Sequence, residues 1–366
     1  MSSSLTDLRS SIDAVDLELL NLLNRRAKLA EAVGEIKKHE GTPFFRPDRV
    51  ASVIARLQYE NSGPLKNEHV ASVWSEIMSA CLALESPMRV AYLGPTGTFS
   101  EQAALQYFGT SIEHISCSSI DEVFRSTASG GADFGVIPVE NSSEGVVSRS
   151  LDLFLNSPLH IIGETSLMVR HNLLRLSNDF KDIEAVYAHP QALAQCHEWL
   201  NAHLPNAQRH AAASNAEGAR LAATHPAWAA IASERAGTQF GLYSVAQGIQ
   251  DDAFNRTRFA VVCLPQTLPP SPASTAGKDC ISLVVSVANK PGAVHDILMP
   301  LKRYGVSMTR FESRPARSGQ WEYFFYIDLQ GHPSQTHVNA ALQELQQLCA
   351  FYKVLGSYPV HDLPSS

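Results

Sequence analysis

The chain has 366 residues, 45% hydrophobic and 18% charged, enough for two or three domains with proper cores. A formal net charge of −7 gives no domain-wide positive field, which excludes nucleic acid as the main partner but not a small anion in a local basic pocket. No apolar run is long enough to cross a bilayer, so no membrane partner is expected.

The six cysteines (Cys81, Cys117, Cys196, Cys263, Cys280 and Cys349) are scattered without a CxxC pair, and the fourteen histidines include no HExxH arrangement. They read as reduced thiols in a cytoplasmic protein with no zinc site. Met1-Ser-Ser-Ser-Leu-Thr-Asp7 has no apolar signal core.

Leu5, Leu8, Ile12, Val15, Leu19, Leu22, Leu29, Val33 and Ile36 recur in steps of three and four with one gap. This is the heptad pattern of a helix running to Lys38, about 50 Å at about 1.5 Å per residue. Such a helix needs a packing partner, and an antiparallel copy from a second subunit is the simplest supplier. Arg26 fills the gap in the stripe, where a cation is costly unless it meets an anion. Lys37, eleven residues on, returns to nearly the same face. Arg9 points elsewhere, so it reaches an anion between helices only from another copy or after a change of direction. Arg46 and Arg49 open the next helical stretch after Pro43. A solvated basic face is the alternative reading; the leucine seam around Arg26 favours a buried anion site.

After Glu85-Ser86-Pro87 the period changes. Arg89–Leu93 reads as a strand, followed by Gly94-Pro-Thr-Gly-Thr-Phe-Ser100 and a helical run from Glu101 to Tyr107: a strand, a glycine turn and a helix N-terminus that suits an anion. The loop is neither a P-loop nor GxGxxG, so no nucleotide is invoked. The apolar run Phe134–Val139 reads as a buried strand ending at Glu140, Asn141 and Ser142, with Gly145 just after. Ligand chemistry gathers at such strand ends; equally, Asn141 and Ser142 suit the cap of a following helix.

Further on, Ala185–Gln191, Trp228–Ala232 and Arg256–Cys263 read as strands, and Ala213–Gly218 as a serine-capped helix start. The alternation predicts an α/β domain with parallel sheets and one cleft between two lobes. Leu264–Lys278, rich in Pro, Ser and Thr, reads as a linker. Beyond it come strand Ile281–Val287, helix Ala293–Tyr304, strands Val306–Glu312 and Trp321–Leu329 around the turn Ala316–Gln320, helix Val338–Leu348 and strand Phe351–Leu355. This βαββαβ order predicts a ferredoxin-like module.

Three resemblances follow from these motifs. Leu8-Arg9, Ile12-Asp13, Asp16, Leu19-Leu20, Leu22-Leu23, Arg25-Arg26, Lys37 and Arg46-Pro47-Asp48-Arg49 resemble the all-helical chorismate mutase family, over about Leu5–Leu84. The resemblance implies an intertwined dimer in which each site takes an arginine from the neighbour. It implies that Arg9, Arg26 and Arg49 hold the carboxylates of chorismate, and that Lys37 and a protonated Glu85 donate to the ether oxygen. Arg46, Val50 and Cys81 fall at substrate-contacting positions. Val50 stands where a glutamate often meets the substrate hydroxyl, Arg46 where some members have aspartate, Cys81 where serine is found, and Glu85 where glutamine is found.

Gly94–Ser100, Pro138–Gly145, His189–Cys196 and Thr257-Arg258-Phe259 match prephenate dehydratases, over about Met88–Pro265. The implied fold is two α/β lobes like type II periplasmic binding proteins. Thr257 is implied at the departing hydroxyl of prephenate, with Glu140, Asn141, Ser142 and Gln195 lining the cleft and Arg258 as carboxylate clamp or strand-end surface charge. Ala188 stands where many members have serine, and no metal or organic cofactor is implied.

Asn289-Lys-Pro-Gly-Ala-Val-His295 and Glu312-Ser-Arg-Pro315 resemble the ACT regulatory domain of phenylalanine-inhibited dehydratases. This implies a site for L-phenylalanine, an allosteric inhibitor, at Asn289, Pro291, Gly292, Ala293, Val294, Glu312, Ser313, Arg314 and Pro315, between paired domains. The expected organisation is 1–87 mutase, 88–265 dehydratase, 266–278 linker and 279–361 regulatory domain, in a homodimer or higher homo-oligomer. Two other readings stay open: a dehydratase whose mutase domain only dimerises, and a non-catalytic amino-acid sensor. A shift of specificity toward arogenate also stays open.

Overall fold

The computed structural model describes residues 4–268, 273, 278–288, 290–316 and 323–360. The chain divides into two compact units, Met1–Met88 with Phe108–Glu113, and Arg89–Tyr107 with His114–Ser366.

The first unit is helical: α1 (Leu5–Glu40), α2 (Pro47–Glu60) and α3 (Asn67–Glu85). Ser4 starts α1 through a reciprocal capping box with Asp7, and Gly41, at φ 65°, stops it in the left-handed region. Along α1 only Gly34 is buried. A Cβ there would stand 2.9 Å from the Cα of Glu85, so the glycine lets α1 and α3 touch. The leucine stripe stays exposed within one chain: Leu5 is 66% accessible, Leu22 59% and Leu29 63%.

The second unit begins with β1 (Arg89–Leu93), α4 (Phe99–Phe108), β2 (Glu113–Cys117), α5 (Ile120–Ala128), β3 (Phe134–Asn141), β4 (Gly145–Val146), α6 (Ser148–Asn156) and β5 (His160–Met168). Then follow β6 (Asn172–Arg175), β7 (Ala185–Ala188), α7 (Pro190–Gln195), α8 (His197–His203), β8 (Gln208–Ala211), α9 (Asn215–Ala222), β9 (Trp228–Ala232), α10 (Glu234–Phe240), β10 (Tyr243–Ala246) and β11 (Arg256–Cys263). The first sheet has the order β2-β1-β3-β11-β5 and the second β10-β6-β9-β7-β8.

The sheets are mixed where parallel ones were expected. β1 pairs parallel with β3, and β7 with β8 and β9. β11 runs antiparallel between β3 and β5, and β6 antiparallel to β9 and β10. The reason is that the chain crosses between sheets twice, through 169–171 and 247–255. The crossings lie side by side: Val169 N–H donates to the Asn255 carbonyl and Ile249 N–H to the His171 carbonyl, each at 2.8 Å.

The C-terminal part is β12 (Asp279–Ser286), α11 (Ala293–Tyr304), β13 (Met308–Pro315), β14 (Tyr323–Gln330), α12 (Thr336–Leu348) and β15 (Phe351–Pro359), with sheet order β13-β14-β12-β15. This is the expected βαββαβ unit. The turn expected at Ala316–Gln320 lies almost wholly outside the described residues. All eight residues of β12 are buried. Ile281, Leu283 and Val285 face α11 and α12, while Cys280 and Val284 pack with Leu151, Phe154 and Ile161 of the preceding domain. Strand alternation thus gives the sheet two covered faces. Gly356 permits the close approach of β15 to β5, since a Cβ there would stand 2.0 Å from the Ile161 carbonyl oxygen.

Candidate active sites

In the helical unit a pocket of about 620 Å³ is lined by Arg26, Val33, Lys37, Phe44, Arg46, Asp48, Arg49, Val50, Cys81 and Glu85, among others. Seven residues singled out in the sequence therefore meet in one place. The Gly34 contact explains part of this, because Lys37 lies one turn beyond it and Glu85 is its neighbour. Lys37 Nζ donates to Glu85 Oε2 at 2.8 Å and to the Phe44 carbonyl at 2.9 Å. Glu85 thus accepts from Lys37 through Oε2.

Arg46 forms a two-pronged pair with Asp48 at 2.9 and 2.7 Å, which leaves Arg26, Lys37 and Arg49 to supply positive charge. Arg46 flattens into this pair because it is the N-cap of α2, with Asp48 in the first turn. Asp48 was quoted in the motif without a role. Arg9 is exposed and does not line the pocket of its own chain.

In the second unit the polar end of β3 is strand through Asn141, and the next helix, α6, starts only at Ser148 with Val147 as its N-cap. Asn141 therefore caps no helix. Its Oδ1 accepts from Ser143 N–H and Glu144 N–H, both at 3.1 Å, which turns the chain. Its Nδ2 donates to Asn255 Oδ1 at 2.8 Å and to Thr257 Oγ1 at 2.9 Å. The Thr257 hydroxyl thus accepts from Asn141 and keeps its own proton free to donate. Asn255, 1% accessible, was missed; it lies just ahead of β11, two residues before Thr257.

Gln195 ends α7. Its carbonyl accepts from Asp251 N–H at 2.7 Å, and its Oε1 lies 2.9 Å from His171 Nε2. Asp251 belongs to the crossing that carries Asn255 and leads into Thr257, and His171 to the other crossing. The Gly94–Ser100 loop is tied to its surroundings, since Gly97 N–H donates to Glu101 Oε2 at 2.8 Å and its carbonyl accepts from Ser233 Oγ. That amide is spent on the fold.

Glu140, Ser142 and Arg258 lie on the other side of the sheet from Thr257. β11 pairs Thr257 with Asn141 and Arg258 with Glu140. Side chains alternate across a sheet, so Glu140 and Arg258 stand on the face opposite Thr257. There a pocket of about 280 Å³ is lined by Glu140, Ser142, Glu164, Ser166, Arg256, Arg258 and Val360, among others. Arg258 is no free surface charge: its Nη2 donates to Asp328 Oδ2 on β14 at 2.7 Å. Glu140 Oε2 lies 3.4 Å from Arg310 Nε on β13. Ser142 Oγ accepts from Arg256 N–H at 2.8 Å and so ties strand ends.

Around these groups lies a cavity of about 20 Å³, room for one water, bordered by Glu164, Arg258, Ser282, Arg310, Asp328 and Tyr358. Burial, aided by Asp328, pushes the Glu164 carboxyl above its ordinary pKa despite Arg258. Burial alone would lower the Arg258 guanidinium, but Asp328 and Glu164 raise it. Arg314 donates to Ser148 Oγ at 2.7 Å and to Asp152 at 3.0 Å, and Lys353 donates to the carbonyls of Phe154, Leu155 and Ser157. No sequence motif assigns a role to Asp328, Arg310 or Glu164.

Of the expected regulatory residues, Asn289 lies outside the described residues. Gly292, at φ 83°, is the N-cap of α11, which holds Ala293 and Val294; Glu312, Ser313, Arg314 and Pro315 lie on the edge strand β13. Among the described residues no helix is long and apolar enough to cross a membrane.

Comparison with known proteins matches residues 8–86 to the type II chorismate mutase family, 90–267 to the prephenate dehydratase family and 281–347 to the ACT domain. A bifunctional chorismate mutase/prephenate dehydratase of Neisseria gonorrhoeae is 45% identical over 98% of this chain and 99% of its own length. One of Stutzerimonas stutzeri is 44% identical over 98% of both. Among solved structures, a prephenate dehydratase from Arthrobacter aurescens in complex with L-Phe is 32% identical, with a TM-score of 0.67, covering 75% of this chain and 93% of its own.

Proposed function

The chain belongs to the bifunctional chorismate mutase/prephenate dehydratase family, and we propose how its residues divide the two reactions and their control. It converts chorismate to prephenate and prephenate to phenylpyruvate.

In the mutase pocket Arg26 and Arg49 hold the carboxylates of chorismate and press it into its compact conformer. Lys37 faces the ether oxygen, where negative charge grows as the C–O bond breaks. Glu85 fixes the Lys37 ammonium between itself and the Phe44 carbonyl. Arg9 of a second copy completes the site. The exposed leucine stripe of α1 supports this homodimer, since so much apolar surface on one helix calls for a partner.

In the dehydratase site the carboxylate carbon leaves as carbon dioxide, its bonding pair enters the ring, and the ring C–O bond breaks with the departing hydroxide taking up a proton as water. Thr257 donates its hydroxyl hydrogen bond to that leaving oxygen. The observation that carries this reading is the Asn141 Nδ2 donation to Thr257 Oγ1, which leaves the threonine proton free to donate. Asn141 and Gln195 line the cleft, and no step calls on Glu140 or Arg258.

L-Phenylalanine binds the ACT domain at the α11 turn and β13 between paired domains, and inhibits. Arg258 supports a route for the signal: it is joined to Asp328 on one side and is the chain neighbour of Thr257 on the other. The enzyme works in the cytoplasm, where its six unbridged cysteines stay reduced.

The test is product analysis with chorismate alone. Phenylpyruvate is expected. Turnover only after prephenate is added overturns the mutase assignment and leaves the helical unit as a dimerisation module.

A further inference from the structure

His171 belongs to neither motif. It stands in the first crossing segment, 2% accessible, with its ring edge-on to Phe99 at a centroid distance of 5.7 Å. Its backbone is pinned to the second crossing, through N–H to Gln250 Oε1 at 2.9 Å and through its carbonyl to Ile249 N–H. Nε2 meets Gln195 Oε1 at 2.9 Å, while Nδ1 and the Gln195 Nε2 have no partner among the described residues. Burial lowers the ring's pKa against a smaller opposing effect of Gln195, so it is neutral and carries one proton.

The placement of that proton decides the rest. On Nδ1 it would be a buried donor with no acceptor, the rarer and costlier kind of orphan. On Nε2 it is bonded to Gln195. The Gln195 amide must then offer its oxygen to His171 and turn its NH₂ away, where both hydrogens lack a partner. The buried Nδ2 of Asn255 is likewise unpartnered.

We infer that His171 is a positioning residue of the dehydratase site, whose Nε2–H locks the Gln195 amide so that it presents donors, not an acceptor, to the anionic substrate. This rests on the reading that Gln195 contacts prephenate. The fixed amide gives the neutral end of the site a carboxylate-binding character without a charged side chain.

The experiment uses the full chain with prephenate as substrate and chorismate turnover as a folding control. His171→Phe keeps a ring against Phe99 and removes both nitrogens. It should lower kcat/KM about as much as Gln195→Ala, roughly tenfold, with the loss mainly in KM, because the carboxylate is already charged in the ground state. His171→Gln, whose amide N–H can stand where Nε2–H stood, should recover most of it. In the Gln195→Ala background His171→Phe should add nothing. A loss on Gln195→Ala with none on His171→Phe overturns the positioning role and leaves the site assignment intact. No loss on Gln195→Ala overturns the assignment of Gln195. The ¹⁵N spectrum of the His171 ring decides the lock by itself: an Nε2–H tautomer supports it, an Nδ1–H tautomer refutes it.

Discussion

On the proposed assignment the two active sites hold related dianions by opposite means. The mutase pocket is lined by Arg26, Lys37 and Arg49. The dehydratase site gathers amides and a hydroxyl, Asn141, Asn255 and Thr257, and turns its nearest charges, Glu140 and Arg258, to the other face of the sheet. The difference follows from the chemistry. A rearrangement with no leaving group needs its substrate folded and its growing charge met, which fixed cations do well. Loss of water needs a donor at one oxygen while a carboxylate is released as neutral carbon dioxide. A cation gripping that carboxylate would stabilise the starting state more than the transition state.

Replacing the hydroxyl should separate the sites most sharply. Thr257→Ala is expected to lower phenylpyruvate formation by roughly 10²–10⁴-fold while prephenate accumulates from chorismate. Retained dehydration would remove the donor role. The converse is Arg26→Ala, which should cost roughly 10²–10³-fold in prephenate formation, read by chorismate consumption, while added prephenate is still dehydrated. A mutase indifferent to Arg26 would mean that the cations in the pocket only keep it open.

A milder test addresses the charges turned away from the cleft. Asp328→Asn takes the strongest partner from Arg258, so the L-phenylalanine concentration for half-inhibition should rise about fivefold with uninhibited dehydratase rates nearly unchanged. Unchanged inhibition would place the route of the signal elsewhere, with Arg314 and Lys353 as the next ties to remove.

The smallest effect is on stability. His171 is held below its ordinary pKa of 6.5 by burial, so between its folded value and 6.5 the unfolded chain binds the extra proton. Its contribution is complete above 6.5 and is lost as pH falls through that window. Glu164, raised by burial, acts in the opposite sense. The thermal midpoint of the second unit, followed by the fluorescence of Trp199 and Trp228, should therefore fall less in His171→Phe than in the parent between about pH 7 and about pH 5. An equal fall would show that acid acts through other groups.

Much of this molecule is written in local pattern. The heptad stripe marked α1, and Arg26, the break in that stripe, lines its pocket. The βαββαβ order marked the regulatory domain, because periods of two and of 3.6 are readable over eight to thirteen residues. Even the split between Glu140 and Asn141 was legible in principle, since adjacent strand residues face opposite ways.

What the order of residues could not supply was the partner across each surface. Nothing in the sequence joins Arg258 to Asp328, seventy residues on, because that pair exists only once β12 and β14 pack on the dehydratase sheet. Nothing marks His171, a single histidine, until two crossing strands bring it to Gln195. Local backbone preferences fix elements one at a time. Which faces meet, and so which proton or charge is left over for substrate, depends on long-range packing of elements whose separation in the chain carries no signal.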